Sequence, residues 1–215
     1  MTVENAGRQR ALRLTPVSRE TEERLELLVS ELVRWQAAKN LVSSSTLRDV
    51  WTRHIADSLQ LHSLAPEAAN WLDLGSGGGF PGLVIGICLA EKANGHIDLV
   101  ESNSRKCAFL RHAARITGAP VTVHCARIED VIADFVGTVD VVTARALAPL
   151  PLLLGWCEQL LRTGTMGLFP KGQHLDAELT EASKYWMIQA STVSSVTDDA
   201  ARILLVRAAE KRADS

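Results

Sequence analysis

Residues 73–82 read DLGSGGGFPG, five glycines in ten positions, entered from NWLDL and left through PGLVIGICLAEKA. A tight turn needs one or two glycines. Five bare positions beside an acid suit backbone that approaches a bound molecule with no Cβ in the way. The apolar run before the loop has the length of a buried strand and the run after it that of a helix, so this is the first strand–turn–helix unit of an α/β fold. The alternation continues downstream. HIDLV, VTVHC, VDVVTAR and TMGLFPKG read as strands; RKCAFLRHAARIT, IEDVIADF, PLLLGWCEQLL and a stretch near 173–184 read as helices; MIQASTVSSV and ARILLVRA close the chain as strands. This order predicts a doubly wound, mostly parallel seven-stranded sheet with right-handed crossovers. Ligands of such sheets bind at the carboxyl ends of the strands. The glycine loop, Glu101, the 126–129 turn, Arg145 and Lys171 all fall there and are expected to converge.

Upstream, TEERLELLVSELVRWQAAKN carries Leu25, Leu28, Val29, Leu32 and Gln36 at helical spacing, behind a cap at Ser18 or Thr21. A second helix near 46–64 presents Leu47, Val50, Trp51, Ile55 and Leu59. The expected organisation is a flexible basic arm over 1–16 (Arg8, Arg10, Arg13), a helical cap over 17–65 and an α/β domain over 66–210, cap and domain forming one globular unit. No apolar run approaches the roughly 20 residues of a membrane span and the first residues lack an apolar signal core, so a cytoplasmic location is expected. Cys88, Cys107, Cys125 and Cys157 are scattered without metal-ligand spacing and read as reduced thiols, with no metal site expected. The formal net charge of −2 argues against a protein that holds nucleic acid by bulk charge; any such contact is a local patch.

Three ligands compete for the glycine loop. A P-loop needs Lys-Ser/Thr after its last glycine, and Leu83-Val84 stands there instead. A dinucleotide site is closer: Gly77, Gly79 and Gly82 match GxGxxG, and Glu101 follows about 20 residues on, where a ribose-binding acid belongs. Asp73 separates the remaining two, because a strand-end carboxylate would repel a pyrophosphate. S-adenosylmethionine carries positive groups and no phosphate, and its ribose still needs an acid such as Glu101. Pro81 suits the first turn of the helix that follows.

DLGSGGGFPG, then LVESNSRKCAFL, ARIED, TARALAPL and FPKG, in this order, resemble the RsmG/GidB family, as does KNLVSSS…RHIADSL upstream; the resemblance spans roughly residues 25–172. It implies a class I methyltransferase fold that moves the methyl of S-adenosylmethionine to N7 of one guanosine in the 530 loop of 16S ribosomal RNA. Carried over by position, it implies cofactor contacts at Gly75, Gly77, Phe80, Ile128, Glu129 and Arg145, with Glu101 at the ribose on physical grounds. Arg145, Lys171 and His54 are the candidate catalytic residues; Asn40, Arg53, Arg105, Lys106 and Lys171 are the candidate RNA contacts. The plainer readings are that Arg145 is a structural ion-pair partner, that Arg53 and Asp57 form an i,i+4 salt bridge beside a half-buried histidine, and that Arg105, Lys106, Arg111 and Arg115 are a solvated helix face. The sequence shows no Ser/His/Asp set, no Asn-Pro-Pro-Tyr and no Pro-Cys pair, which fits methylation at a nitrogen that carries no proton. The expected partner is 16S RNA, the 30S subunit or an assembly intermediate, met by a monomer. The alternatives are a methyltransferase of the same fold with a small-molecule or protein substrate, an NAD-dependent oxidoreductase, and a non-catalytic binding protein. An RNA substrate predicts Arg53, Lys106 and Lys171 together at the pocket mouth.

Overall fold

The computed structural model describes residues 3–39 and 49–212. Two helices, α1 (Val3–Leu14) and α2 (Arg19–Lys39), precede α3, a π-helical stretch Trp51–Ala56 that runs on as the α-helix Asp57–Leu64. Then come β1 (Asn70–Leu74), α4 (Gly82–Leu89), β2 (His96–Val100), α5 (Ser104–Thr117), β3 (Val121–His124), α6 (Ile128–Val131), β4 (Val141–Ala144), α7 (Leu150–Arg162), β5 (Met166–Lys171), α8 (Leu175–Ala182), β6 (Trp186–Ser194) and β7 (Arg202–Lys211). The seven strands lie in the order β3-β2-β1-β4-β5-β7-β6. The first five are parallel, and β7 is antiparallel to both neighbours. The fold matches the expectation from the strand–helix alternation.

Successive β1 side chains point to opposite faces. Trp71 belongs to the core beneath the cap, and Leu72 and Leu74 to the core beneath α7. The first core runs without a break from Leu25, Leu28 and Leu32 of α2 through Trp51, Ile55 and Leu59 of α3 to Leu83, Phe109 and Leu110. Truncating a fully buried leucine such as Leu32 to alanine would cost about 2–5 kcal/mol, so the cap is held mainly by packing. The stripe Val50, Trp51, Ile55 and Leu59 is buried as its spacing predicts, whereas Leu47 lies outside the described residues.

One local expectation is corrected. Residues 3–14 form a helix rather than an arm: Ala11 is buried, and Arg8 pairs with Glu22 at 2.9 Å and also with Glu26. The arginines that suggested a solvated tail lie on a helix whose other side packs. The cap of α5 is Asn103, whose side chain accepts from the backbone N–H of Arg105 and Lys106. Ser18 does cap α2, accepting from Thr21 N at 3.0 Å.

Candidate active site

The β1–α4 loop is shaped by backbone that only glycine adopts readily. Gly75 and Gly77 have φ of +67° and +56°, and a Cβ on Gly75 would fall 2.4 Å from Leu147 Cδ1. At Gly82 a Cβ would meet Asp73 Oδ2 at 2.6 Å, because Asp73 lies beneath the loop and accepts from Gly82 N at 3.2 Å. This corrects the reading of Asp73 as a strand-end acid that faces the ligand. It is fully buried, lines neither of the clefts described below, and burial raises its pKa to about 7. Its Oδ1 has no partner among the described residues. Asp73 ties the end of β1 to the start of α4. Pro81 stands one place earlier than expected, as the N-cap of α4.

Among the described residues, two clefts open at the carboxyl ends of the strands. The first, of about 300 Å³, is lined by Gly75, Gly77, Glu101, Ser102, Lys106 and Arg127, with Ile128, Glu129, Leu147 and Trp156 completing the wall. Glu101 is 8% exposed and both its oxygens are engaged, Oε2 by Gly77 N at 2.9 Å and Oε1 by Asn103 N at 2.8 Å. A carboxylate fixed by two backbone donors at the end of β2 retains lone pairs for a diol, and a Cβ at Gly77 would meet nothing closer than Gly75 O at 3.7 Å. These features fit a nucleoside lying across the loop. The charged lining of this cleft is balanced, Glu101 and Glu129 against Lys106 and Arg127.

The second cleft, of about 570 Å³, adjoins the first through Ala146 and Leu147, which line both. Arg53, Asp57, Arg145, Lys171, Glu178 and Asp198 supply its charged wall. Arg145, at the end of β4, donates from Nη1 to the Arg53 carbonyl at 3.0 Å and from Nη2 to His54 Nδ1 at 2.8 Å. A guanidinium only donates, so Nδ1 of His54 accepts and its proton sits on Nε2. Burial, and then the charges of Arg145 and Arg53, push the His54 pKa down to about 3, so the ring is neutral. It stacks on Phe80 with centroids 4.6 Å apart, and Arg145 lies 5.7 Å from the same ring. The π-helical turn presents Arg53 O and His54 to Arg145 together; such turns recur at functional sites.

The structure therefore sorts the sequence candidates. Gly75, Gly77, Glu101, Ile128, Glu129 and Lys106 share the first cleft; Arg53, Arg145 and Lys171 share the second. Arg145 lines no part of the first cleft, and Phe80 and His54 are buried behind the second rather than exposed to either. Their stacking role explains this: a neutral ring and a phenyl ring make the floor on which Arg145 is set. Arg105 is exposed and lines neither cleft, and Asn40 lies outside the described residues. Lys106 is thus separated from Arg53 and Lys171, and the expected cationic cluster is split between neighbouring clefts. The Arg53–Asp57 salt bridge does not form. Arg53 pairs with Asp198 at 3.1 Å, and Asp57 accepts from Thr197 Oγ1 and from Gln60 Nε2. Burial raises the Asp57 pKa. Lys171 is bound to Glu178 at 2.6 Å.

Sequence reasoning missed Ala146, Leu147, Trp156, Glu178 and Asp198 as lining residues. Ala146 and Leu147 sit inside TARALAPL, beside the singled-out Arg145, so the signal was present. Ala146 has a φ of +50°, unusual for a residue with a Cβ and the mark of a sharply turned strand end. Asp198 gives no local signal, since it sits in a polar loop joining two strands.

The sequence matches the GidB family, described as rRNA small subunit methyltransferase G, over residues 21–204. It is 56% identical over 199 residues to the ribosomal RNA small subunit methyltransferase G of Methylorubrum populi, covering 93% of this chain and 94% of that protein. The protein of that name from a Bradyrhizobium species is 54% identical over 202 residues, covering 94% and 91%. Among solved structures, an O-methyltransferase from Bacillus cereus superposes with a TM-score of 0.60 at 16% identity, covering 95% of this chain and 99% of that one. A putative O-methyltransferase from Klebsiella pneumoniae superposes with a TM-score of 0.59 at 13% identity, covering 94% and 96%. At these identities the structural likeness is one of fold.

Proposed function

Since the chain belongs to the GidB family of rRNA small subunit methyltransferases, we propose that it methylates N7 of one guanosine in the 530 loop of 16S ribosomal RNA. It is a methyltransferase that uses S-adenosylmethionine and acts on the RNA of the small ribosomal subunit. When bound, the cofactor supplies a methyl group on a positively charged sulfur. The observation that carries the reading is the pair of clefts meeting at Ala146 and Leu147, one holding a fixed carboxylate and the other a row of cations and acids.

Glu101 and the Gly75–Gly77 backbone would hold the cofactor, with Ile128 and Glu129 in the wall of the same cleft. Arg145, set by His54 and Arg53 O, aims a guanidinium into the second cleft, where it orients the acceptor base. Guanine N7 carries a lone pair and no proton in the neutral base, so its methylation leaves no proton for the protein to remove. The residues agree with that economy: His54 is held neutral behind the cleft and is a positioning group, not a base. Catalysis rests on placing the reacting atoms in line and on excluding water, effects that reach about 7–11 kcal/mol in well-oriented systems. The cap and the α/β domain act as one unit, because Arg53 and His54 of α3 complete a site whose other half is on β4 and β5. Among the described residues, no helix is long and apolar enough to cross a membrane.

The test is transfer of labelled methyl to 30S subunits and to naked 16S RNA from cells lacking the gene, mapped by borohydride–aniline cleavage at 7-methylguanosine. One cleavage in the 530 loop is expected. Cofactor binding without label in either RNA would overturn the ribosomal reading and favour a small-molecule substrate.

A further inference from the structure

The second cleft is not an anion site. Its lining carries Arg53, Arg145 and Lys171 against Asp57, Glu178 and Asp198, three cations facing three carboxylates. Lys171, the sequence candidate for a phosphate contact, has a side chain only 10% exposed and already bound to Glu178 Oε2 at 2.6 Å. A phosphate would have to displace that carboxylate and then stand beside two more.

A carboxylate held next to an ammonium complements something else. The Watson–Crick edge of guanine offers donors at N1 and N2 and an acceptor at O6. Glu178 keeps Oε1 free of any hydrogen bond among the described residues, and an ammonium bound once still has two protons to donate. Resting on the N7 reading above, we propose that Glu178, held by Lys171, reads the Watson–Crick edge of the target guanine, Glu178 accepting from N1–H and the N2 amine and Lys171 donating to O6.

The topology supports the orientation. β1, which carries the glycine loop, β4, which carries Arg145, and β5, which carries Lys171, are successive neighbours about 4.8 Å apart. A purine seated over the end of β4 can turn N7 toward the β1 side, where the cofactor cleft lies, and its Watson–Crick edge, which meets the N7 edge at O6, toward β5 and α8. Arg145 then faces the base between the two. The same pair rejects adenine, whose amine would meet the ammonium and whose N1 lone pair would meet the carboxylate.

The test uses 30S subunits reconstituted with 16S transcripts bearing guanosine, inosine or adenosine at the mapped nucleotide. Inosine differs from guanosine only by lacking the N2 amine. Wild-type protein is expected to lose on the order of 10- to 100-fold in kcat/KM on inosine, the range of one good base-edge contact, and more on adenosine. Glu178→Ala should lose most of its rate on guanosine and cease to separate guanosine from inosine. Glu178→Gln keeps an oxygen for Lys171 and turns an amide to the base, so it should narrow the guanosine-to-adenosine ratio; it decides the matter if the alanine variant loses cofactor binding by calorimetry. A wild-type guanosine-to-inosine ratio in a variant with intact cofactor affinity would overturn the assignment and leave the ion pair as structure only. Indifference of the wild-type protein to inosine would overturn it too. Absence of label from every RNA would bring down the ribosomal function itself, a separate and recognisable result.

Discussion

In the cofactor cleft the decisive contacts are made by backbone: Glu101 is fixed by the N–H groups of Gly77 and Asn103, all within one β–α–β stretch of chain. In the neighbouring cleft they are made by side chains from distant segments: Arg145 reaches back to Arg53 and His54, Arg53 reaches forward to Asp198, and Gln60 and Asp57 hold the β6–β7 loop. The Glu101 contacts of the first cleft form wherever that β–α–β stretch forms, while Ile128, Leu147 and Trp156 of later elements close its wall. The second exists only when cap, β4 and the β6–β7 loop are docked together. Cofactor binding should therefore be the more robust property and methyl transfer the more fragile one.

The largest expected effect is at Arg145. Arg145→Ala strands the His54 nitrogen and the Arg53 carbonyl and empties the second cleft of its oriented donor. It should lower kcat/KM for RNA by about 10²–10³-fold, the scale of one preorganised donor. Calorimetric affinity for the cofactor should hold; a collapse of both would show that the two clefts are one.

A second test separates two buried groups of the site, His54 beside Arg145 and Asp73 beneath the glycine loop. For His54, burial lowers the pKa from 6.5 to about 3, so between these values the unfolded chain binds the extra proton and stability rises with pH. For Asp73, burial raises it from 3.8 to about 7, so between these values the folded protein binds the extra proton and stability falls with pH. Each slope is about 1.4 kcal/mol per pH unit, and in the shared window from 3.8 to 6.5 they oppose one another. Denaturant titrations should show it as differences from wild type. His54→Asn should lose stability relative to wild type as pH rises through that window, and Asp73→Asn should lose it as pH falls. Parallel curves in both variants would contradict the neutral pair.

Glu101→Gln comes next, because one of its two backbone donors would then face an amide N–H. Cofactor affinity should fall by about 10- to 100-fold, from the worth of hydrogen bonds to a buried charge. Binding of RNA to the cofactor-free protein should be unaffected; an equal loss there would blur the distinction between the clefts. The smallest effect is expected at Arg53→Ala. Its bridge to Asp198 joins side chains 55% and 39% exposed, so thermal unfolding should shift by less than about 1 kcal/mol, with a larger effect on RNA than on cofactor.

The same contrast explains what the sequence could tell. Gly75, Gly77 and Glu101 announce themselves because backbone geometry and strand-end position are local properties, and the strands follow from apolar runs of the right length. The Asp73 inference failed because the two faces of β1 look alike in sequence: both are apolar, and only the packed cap decides that Asp73 points beneath α4. The second cleft was half legible. Arg145 and Lys171 stand at strand ends, but that Lys171 is neutralised by Glu178, or Arg53 by Asp198, depends on loops meeting across the fold. A π-helical turn leaves no trace in a 3.6-residue stripe, so Arg53 and Asp57 were paired by a periodicity the chain does not keep there. The first helix was missed because its charged residues outnumber Ala11, the one residue it buries among those described.

Leu147 stands in the wall of both clefts, and it fills the space that any side chain at position 75 would need. One boundary thus serves two ligands. Whatever displacement of Leu147 the first to arrive induces is inherited by the second, and linkage makes that influence equal in both directions. A leucine between two cavities is in this sense a term in the affinity of each cleft, and a bulkier residue at position 75 would have to change together with it.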